Sequence, residues 1–280
     1  MKRSFKLVAA TMMAVFAVAL QSCANDARAY LDSGIAHFHR GNLDFAIADF
    51  MRAIRLDPDH GDALLYRGFI HFYRDNFDLA IEDFTQTIRI DPNHAPAFFA
   101  RGAAHFNMEN FDLAMADFTQ AIRFYPNHAS AFFRRGLVYS RRGDLDLAIA
   151  DFTQAIRINP NHADALFNRG AAHGRRGDFA LAIADSTQVI RIEPNHAGAL
   201  FNRGYAHSVT GNYELAIADF ERVLRLEPNS ARAFFYRGVA HSRREDLALA
   251  IADWEAALRI EPNHASARSN VEIARQVRGW

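Results

Sequence analysis

The sequence predicts an all-α solenoid of seven helix-turn-helix repeats plus a C-terminal capping helix, and three residue columns carry that prediction. Glycine recurs every 34 residues from Gly34 to Gly238, alanine from Ala46 to Ala250, and proline from Pro58 to Pro262. A fixed period of this length marks an array of supersecondary units. The units are 27–60, 61–94, 95–128, 129–162, 163–196, 197–230 and 231–264, without gap or insertion, and 265–280 follows as the capping helix.

The N-terminal element comes first. Residues 1–22 read as a signal peptide of the lipoprotein type: Lys2, Arg3 and Lys6 form a charged start, Leu7 to Leu20 is apolar, and small residues follow. The apolar run is short of the ~20 residues a membrane-crossing helix needs. Cys23, the single cysteine, excludes an intramolecular disulfide framework. Its place after Leu20-Gln21-Ser22 resembles the lipobox of bacterial lipoproteins, which implies lipidation of Cys23 and, with Ala24 rather than an acid next, the outer membrane. Without Lys2, Arg3 and Lys6 the body keeps 29 basic residues, all arginine, against 32 acidic ones. That balance supplies no general pull toward nucleic acid.

Each repeat then reads as a helical hairpin. Ala27 to Arg40 has apolar positions at helical spacing, and Gly41 breaks it. Asn42 opens a column of Asn and Asp only, ending at Asp246, whose side chains are expected to cap the second helix. Leu43 to Leu56 forms that helix, and Pro58 ends it because proline cannot donate the next hydrogen bond. Asp59 and its column, Asn93 to Asn263, are expected to cap the next first helix. The Gly34 and Ala46 columns allow the two helices close approach, and stacking of neighbours completes a core no single hairpin can bury.

Phe132, Gly136, Tyr139, Ala148, Phe152, Ala155 and Pro160 show the pattern by which the chain resembles the tetratricopeptide repeat family. The resemblance spans 27–264 and implies a right-handed superhelix whose first helices line a concave groove. In 265–280, Arg268, Ser269 and Asn270 stand where aromatics would otherwise await a neighbour.

Several columns have a structural reading. Arginine from Arg67 to Arg237, replaced at Ser33, matches aspartate from Asp49 to Asp253 at equal height across each hairpin, which predicts an ion-pair staple. Twelve of the thirteen histidines form two columns, His37 to His241 and His60 to His264. A column spreads its members along the array, whereas zinc needs three or four converging ligands, so no metal site and no cofactor are expected. The first histidine column should be packed core, neutral and sensitive to acid. Arg142-Gly143-Asp144 and Arg176-Gly177-Asp178 are hairpin turns. No phosphate loop, HExxH or GxSxG signature is present, so an enzyme is not expected.

The remaining positions form the expected protein-binding groove. At ~100° per residue, one side of each first helix faces away from the second helices. On it the early repeats offer Phe38, Tyr66, Phe69, Phe72, Tyr73 and Phe106, and the later ones Arg134, Arg141, Asn168, Arg175, Asn202 and Tyr205. Phe38, Phe72 and Phe106 give way to Ser140, Ser208 and Ser242 with the frame intact. The expected ligand is a peptide or helix segment with an apolar and an acidic part. Ser186 interrupts the column Phe50, Phe84, Phe118, Phe152, Phe220 and Trp254, which makes repeat five the expected weak joint. Together these readings give a non-enzymatic scaffold or adaptor binding other proteins, exported and held on the periplasmic side of the outer membrane, or soluble in the periplasm or secreted if Cys23 carries no lipid. The alternative is a soluble intracellular scaffold or co-chaperone. Its family resemblance implies a clamp of Lys and Asn, and no repeat here contains lysine.

Overall fold

The computed structural model describes residues 24–278; the expected signal segment 1–22 and Cys23 lie outside them. All described elements are helices. They are α1 (24–39), α2 (Leu43–Leu56), α3 (Gly61–Tyr73), α4 (Phe77–Ile90), α5 (Ala95–Asn107), α6 (Phe111–Phe124), α7 (Ala129–Arg142) and α8 (Leu145–Ile158). Then come α9 (Ala163–Arg176), α10 (Phe179–Ile192), α11 (Ala197–Val209), α12 (Tyr213–Leu226), α13 (Ala231–Arg243), α14 (Leu247–Ile260) and α15 (Ala265–Arg278). The chain divides into two compact units, Met1–Val138 and Tyr139–Trp280, which part within α7.

Within each unit a helix packs on its hairpin partner and on the helix that follows, as α3 does on α4 and α4 on α5. In unit 1 the core holds Phe50, Phe84 and Phe118 with Ala46, Ala80 and Ala114, all fully buried. In unit 2 one buried cluster holds Leu200, Phe220 and Val223 and another forms around Trp254. The glycine column is required by these rings. A Cβ on Gly34, Gly68, Gly102 or Gly238 would sit 2.5–2.9 Å from an atom of the Phe50, Phe84, Phe118 or Trp254 ring, closer than real Cβ contacts come, and one on Gly204 would crowd Phe220 at 3.1 Å.

The hairpin turns correct one expectation. The Asn/Asp column does occupy the N-cap position of the second helices, but none of its side chains caps. Asn42 has ψ 64°, not the extended backbone that swings a capping oxygen over the first amides. Its own N–H instead donates to the His37 carbonyl at 3.0 Å, while Gly41 N–H donates to Phe38 at 3.0 Å. This pair of bonds is a Schellman closure, which needs a left-handed residue just past the helix. That residue is Gly41, Gly143, Gly177 or Gly211 in four turns, and Asp75, Glu109 or Glu245 in three.

The second correction shifts a cap by one residue. Asp59 and the asparagines after it do not cap the first helices. Asn93 and Asn161 donate their N–H to Asp91 and Asn159 side chains in Asx turns. The capping group is the next residue, histidine: Nδ1 of His94, His128, His162, His196 and His264 accepts a backbone N–H three residues on, at 3.0–3.4 Å.

Candidate protein-binding surfaces

The charged columns are structural. Arg67, Arg101, Arg169, Arg203 and Arg237 each grip the aspartate sixteen residues on through two donors, at 2.5–3.0 Å. Where arginine is missing, Ser33 Oγ donates to Asp49 Oδ2 at 2.7 Å. The same guanidinium reaches backward: Arg101 donates to Thr85, Arg135 to Thr119, Arg169 to Thr153 and Arg203 to Thr187, at 3.0–3.3 Å. One side chain thereby ties its hairpin shut and binds the preceding one.

The first histidine column is packed inside, as its apolar setting in the sequence suggests. Nδ1 of His37, His71, His105, His173, His207 and His241 is buried with no hydrogen-bond partner. Burial lowers the pKa of His71, His105, His173, His207 and His241, with nearby Asp83, Asp117, Asp185, Asp219 and Asp253 opposing it. Burial lowers His128 as well. Among the described residues no three His, Cys, Asp or Glu side chains are grouped to hold a metal. The second Arg-Gly-Asp is bound up internally: Arg176 pairs with Asp146 at 2.6 Å and Asp178 at 2.5 Å.

In unit 1 the expected aromatic residues meet. Phe38 lies against Tyr66 (5.7 Å between centroids) and Tyr73 (6.2 Å), Tyr66 against Phe69 (6.2 Å), and Tyr73 against Phe72 (6.3 Å). Their exposure is graded. Tyr66 stacks on the buried Phe50 ring and Phe69 leans on Phe84, so both are half core, whereas Tyr73 is 67% exposed. Phe72 and Phe106 are half-buried, edge-on to Phe77 and Phe111 at the start of their partner helices. Arg134 places its guanidinium 5.9 Å from the Phe106 ring.

In unit 2 the expected residues separate. Arg141 is exposed at the end of α7. Asn168 donates to the Asp164 carbonyl of its own helix at 2.8 Å, which spends its amide locally. Arg175, Asn202 and Tyr205 converge on a pocket of about 460 Å³ between α9, α10, α11 and α13. Phe179, Tyr236 and Arg232 complete its walls. Phe179 and Arg232 were not among the expected residues. Arg232 occupies the same repeat position as Arg28 on the outward face of the first helix, so following that column would have found it.

Comparison with known proteins agrees with this architecture. Tetratricopeptide repeat models match 61–94 and 95–128, 129–162, 152–184, and 14–61 with 201–266. No curated protein matches the chain. Among solved structures, YrrB, a tetratricopeptide repeat protein described as having an unusual peptide-binding site, is 22% identical with a TM-score of 0.64, over 68% of this chain and 97% of its own. MamA is 26% identical with a TM-score of 0.55, over 61% of this chain and 94% of its own. The C-terminal part of a repeat-containing protein from Cytophaga hutchinsonii is 17% identical with a TM-score of 0.70, over 86% and 99%. Hairpin by hairpin, from the glycine–ring contacts to the proline-ended second helices, the chain belongs to the tetratricopeptide repeat superfamily of helical solenoids.

Proposed function

We propose that this protein is a non-enzymatic adaptor that holds segments of other proteins on the outward faces of its first helices. The observation that carries the reading is the ring cluster Phe38, Tyr66, Phe69, Phe72 and Tyr73 in unit 1. It exposes Tyr73 and the edges of the half-buried rings around it, and such rings dominate contact energies where partners are bound. Its apolar rings favour a nonpolar stretch of partner, and the arginines Arg134, Arg141 and Arg175 favour an acidic one. The partner is therefore a peptide or helix segment with an apolar and an acidic part, and no cofactor or nucleic acid enters the role.

The reading extends to place. Residues 1–22 have the layout of an export signal and Cys23 follows a lipobox-like triplet, so the adaptor works from a lipid anchor at the periplasmic side of the outer membrane. Intact mass of the native protein tests the anchor: the chain from Cys23 plus acyl groups is expected, and an unprocessed Met1 terminus refutes it. For the binding face, replacing Phe72 and Phe106 together with Ser should abolish capture of the native envelope partner by pull-down while helicity by circular dichroism stays intact. Undiminished capture would remove this face from the function.

A further inference from the structure

At the pocket in unit 2, small or polar residues stand where other repeats carry aromatic rings. Gly174 and Asn202 line it, at the repeat positions of Phe72 and Tyr236, and Ser186, buried behind Gly170, interrupts the core column of Phe and Trp. These positions are neighbours in the fold. Tyr66 stacks on Phe50 at 5.6 Å and Tyr236 on Phe220 at 6.4 Å, each covering the core ring sixteen residues before it. Asn202 stands in the same relation to Ser186, so both the ring and its cover are absent. The floor shows the loss. At Gly170 an added Cβ would find Ser186 Oγ at 3.7 Å, where equivalent glycines meet a ring atom at 2.5–3.1 Å.

What remains around the space is aromatic and cationic. Tyr205 stands perpendicular to Tyr236 at 5.3 Å and edge-on to Phe179 at 6.4 Å. Arg175, which also donates to the Ser140 carbonyl at 3.3 Å, and Arg232, its guanidinium 3.9 Å from the Phe201 ring centre, flank the opening. No acidic side chain lines it.

We infer that this pocket is an anchor site for one bulky apolar side chain, preferentially aromatic, of a partner segment whose neighbouring carboxylates meet Arg175 and Arg232. The partner's ring takes the space that repeat aromatics fill elsewhere, between tyrosine walls that favour edge-to-face contact. The two guanidiniums select acids on either side, since each can receive a carboxylate through paired donors. The inference rests on the adaptor reading and gives it a second, separate contact point.

The probe is a fluorescein-labelled peptide Glu-Asp-Phe-Asp-Glu, titrated into the full chain and followed by polarisation, beside one version with Ala for Phe and one with Gln and Asn for the acids. Saturable binding is expected, weakened about tenfold or more in each altered peptide. Gly174→Phe plugs the pocket without disturbing the helix, because a Cβ at Gly174 meets only Ala182 at 3.9 Å. Asn202→Tyr restores the missing cover. Each variant should weaken the peptide about tenfold or more at an unchanged circular dichroism spectrum. Equal affinity for wild type and both variants, or no saturable binding to wild type, overturns the inference. Capture of the native partner by the wild-type chain separates the two readings: if it occurs while the peptide shows no saturable binding to that chain, the adaptor stands and the pocket does not.

Discussion

Position 186 shows how a single side chain shifts stability and surface together. The serine is 2% exposed and lies where six other repeats bury a full ring. Val189 is no obstacle to a ring there, because Val223 sits beside the buried Phe220 in the next repeat. Ser186→Phe should therefore stabilise the chain by about 2–3 kcal/mol, the worth of fully burying a phenylalanine, and raise the thermal midpoint. A lower midpoint would mean that neighbouring side chains already fill the space. The turns offer a second case. Asp75, Glu109 and Glu245 hold φ of 57°, 60° and 68°, where four other turns have glycine. A left-handed backbone costs a residue with a Cβ about 1–2 kcal/mol, offset in part by the greater chain entropy of glycine. Glu109→Gly should thus gain about 0.5–1 kcal/mol in a urea titration, and a loss would show that Glu109 contributes a contact outweighing its strain. The glycine and ring columns were legible from spacing alone. The histidine caps were not, since asparagine one residue earlier is the commoner capping residue and only the backbone angles show which side chain reaches the amide.

At the level of the helix pair, the buried aspartate holds the hairpin. Asp117 is 5% exposed and receives both donors of Arg101. Asp117→Ala leaves that guanidinium partly buried without its anion, at a cost of up to about 3–5 kcal/mol, whereas replacing both partners by apolar residues of similar volume should recover most of it. A double-mutant cycle on Arg101 and Asp117 in urea checks this; additive single effects would demote the pair to a surface contact. The matched heights of the two columns made the staple readable in sequence. The backward bond from Arg101 to Thr85 was not readable, because it joins two repeats and depends on how they stack.

Across the whole molecule the histidines act in one direction. Burial lowers the pKa of His71, His105, His128, His173, His207 and His241 below the ordinary 6.5. Such groups are neutral when folded and bind protons more readily when unfolded. Their stabilising contribution is complete above the unfolded pKa and is lost as pH falls toward the lowered folded values. The His128 cap points the same way, because a proton on Nδ1 would replace the acceptor with a donor facing an amide. Unfolding free energy should fall from pH 7.5 to 5 by up to about 1.4 kcal/mol per pH unit for each group taking up a proton on unfolding, and the melting temperature with it. A midpoint unchanged over that interval would refute it. The repeat frame and the all-helical class were legible because the period is unbroken. The unit 2 pocket was legible only in fragments, as an interrupted column here and a lone arginine there, because helices distant in sequence assemble it.

The two-way arginine carries one more consequence. Arg101 and Arg169 each bind a partner sixteen residues upstream and another sixteen residues downstream. A hairpin therefore cannot be transplanted as a free module cut at its own ends. A chimaera must carry each arginine together with the threonine of the preceding hairpin, or join the foreign segment after α2, whose Met51 stands where the later repeats have that threonine. Shuffling by whole 34-residue blocks between Thr85 and Thr187 keeps every bond in register, so growth or shrinkage of the array by duplication is easiest in its middle.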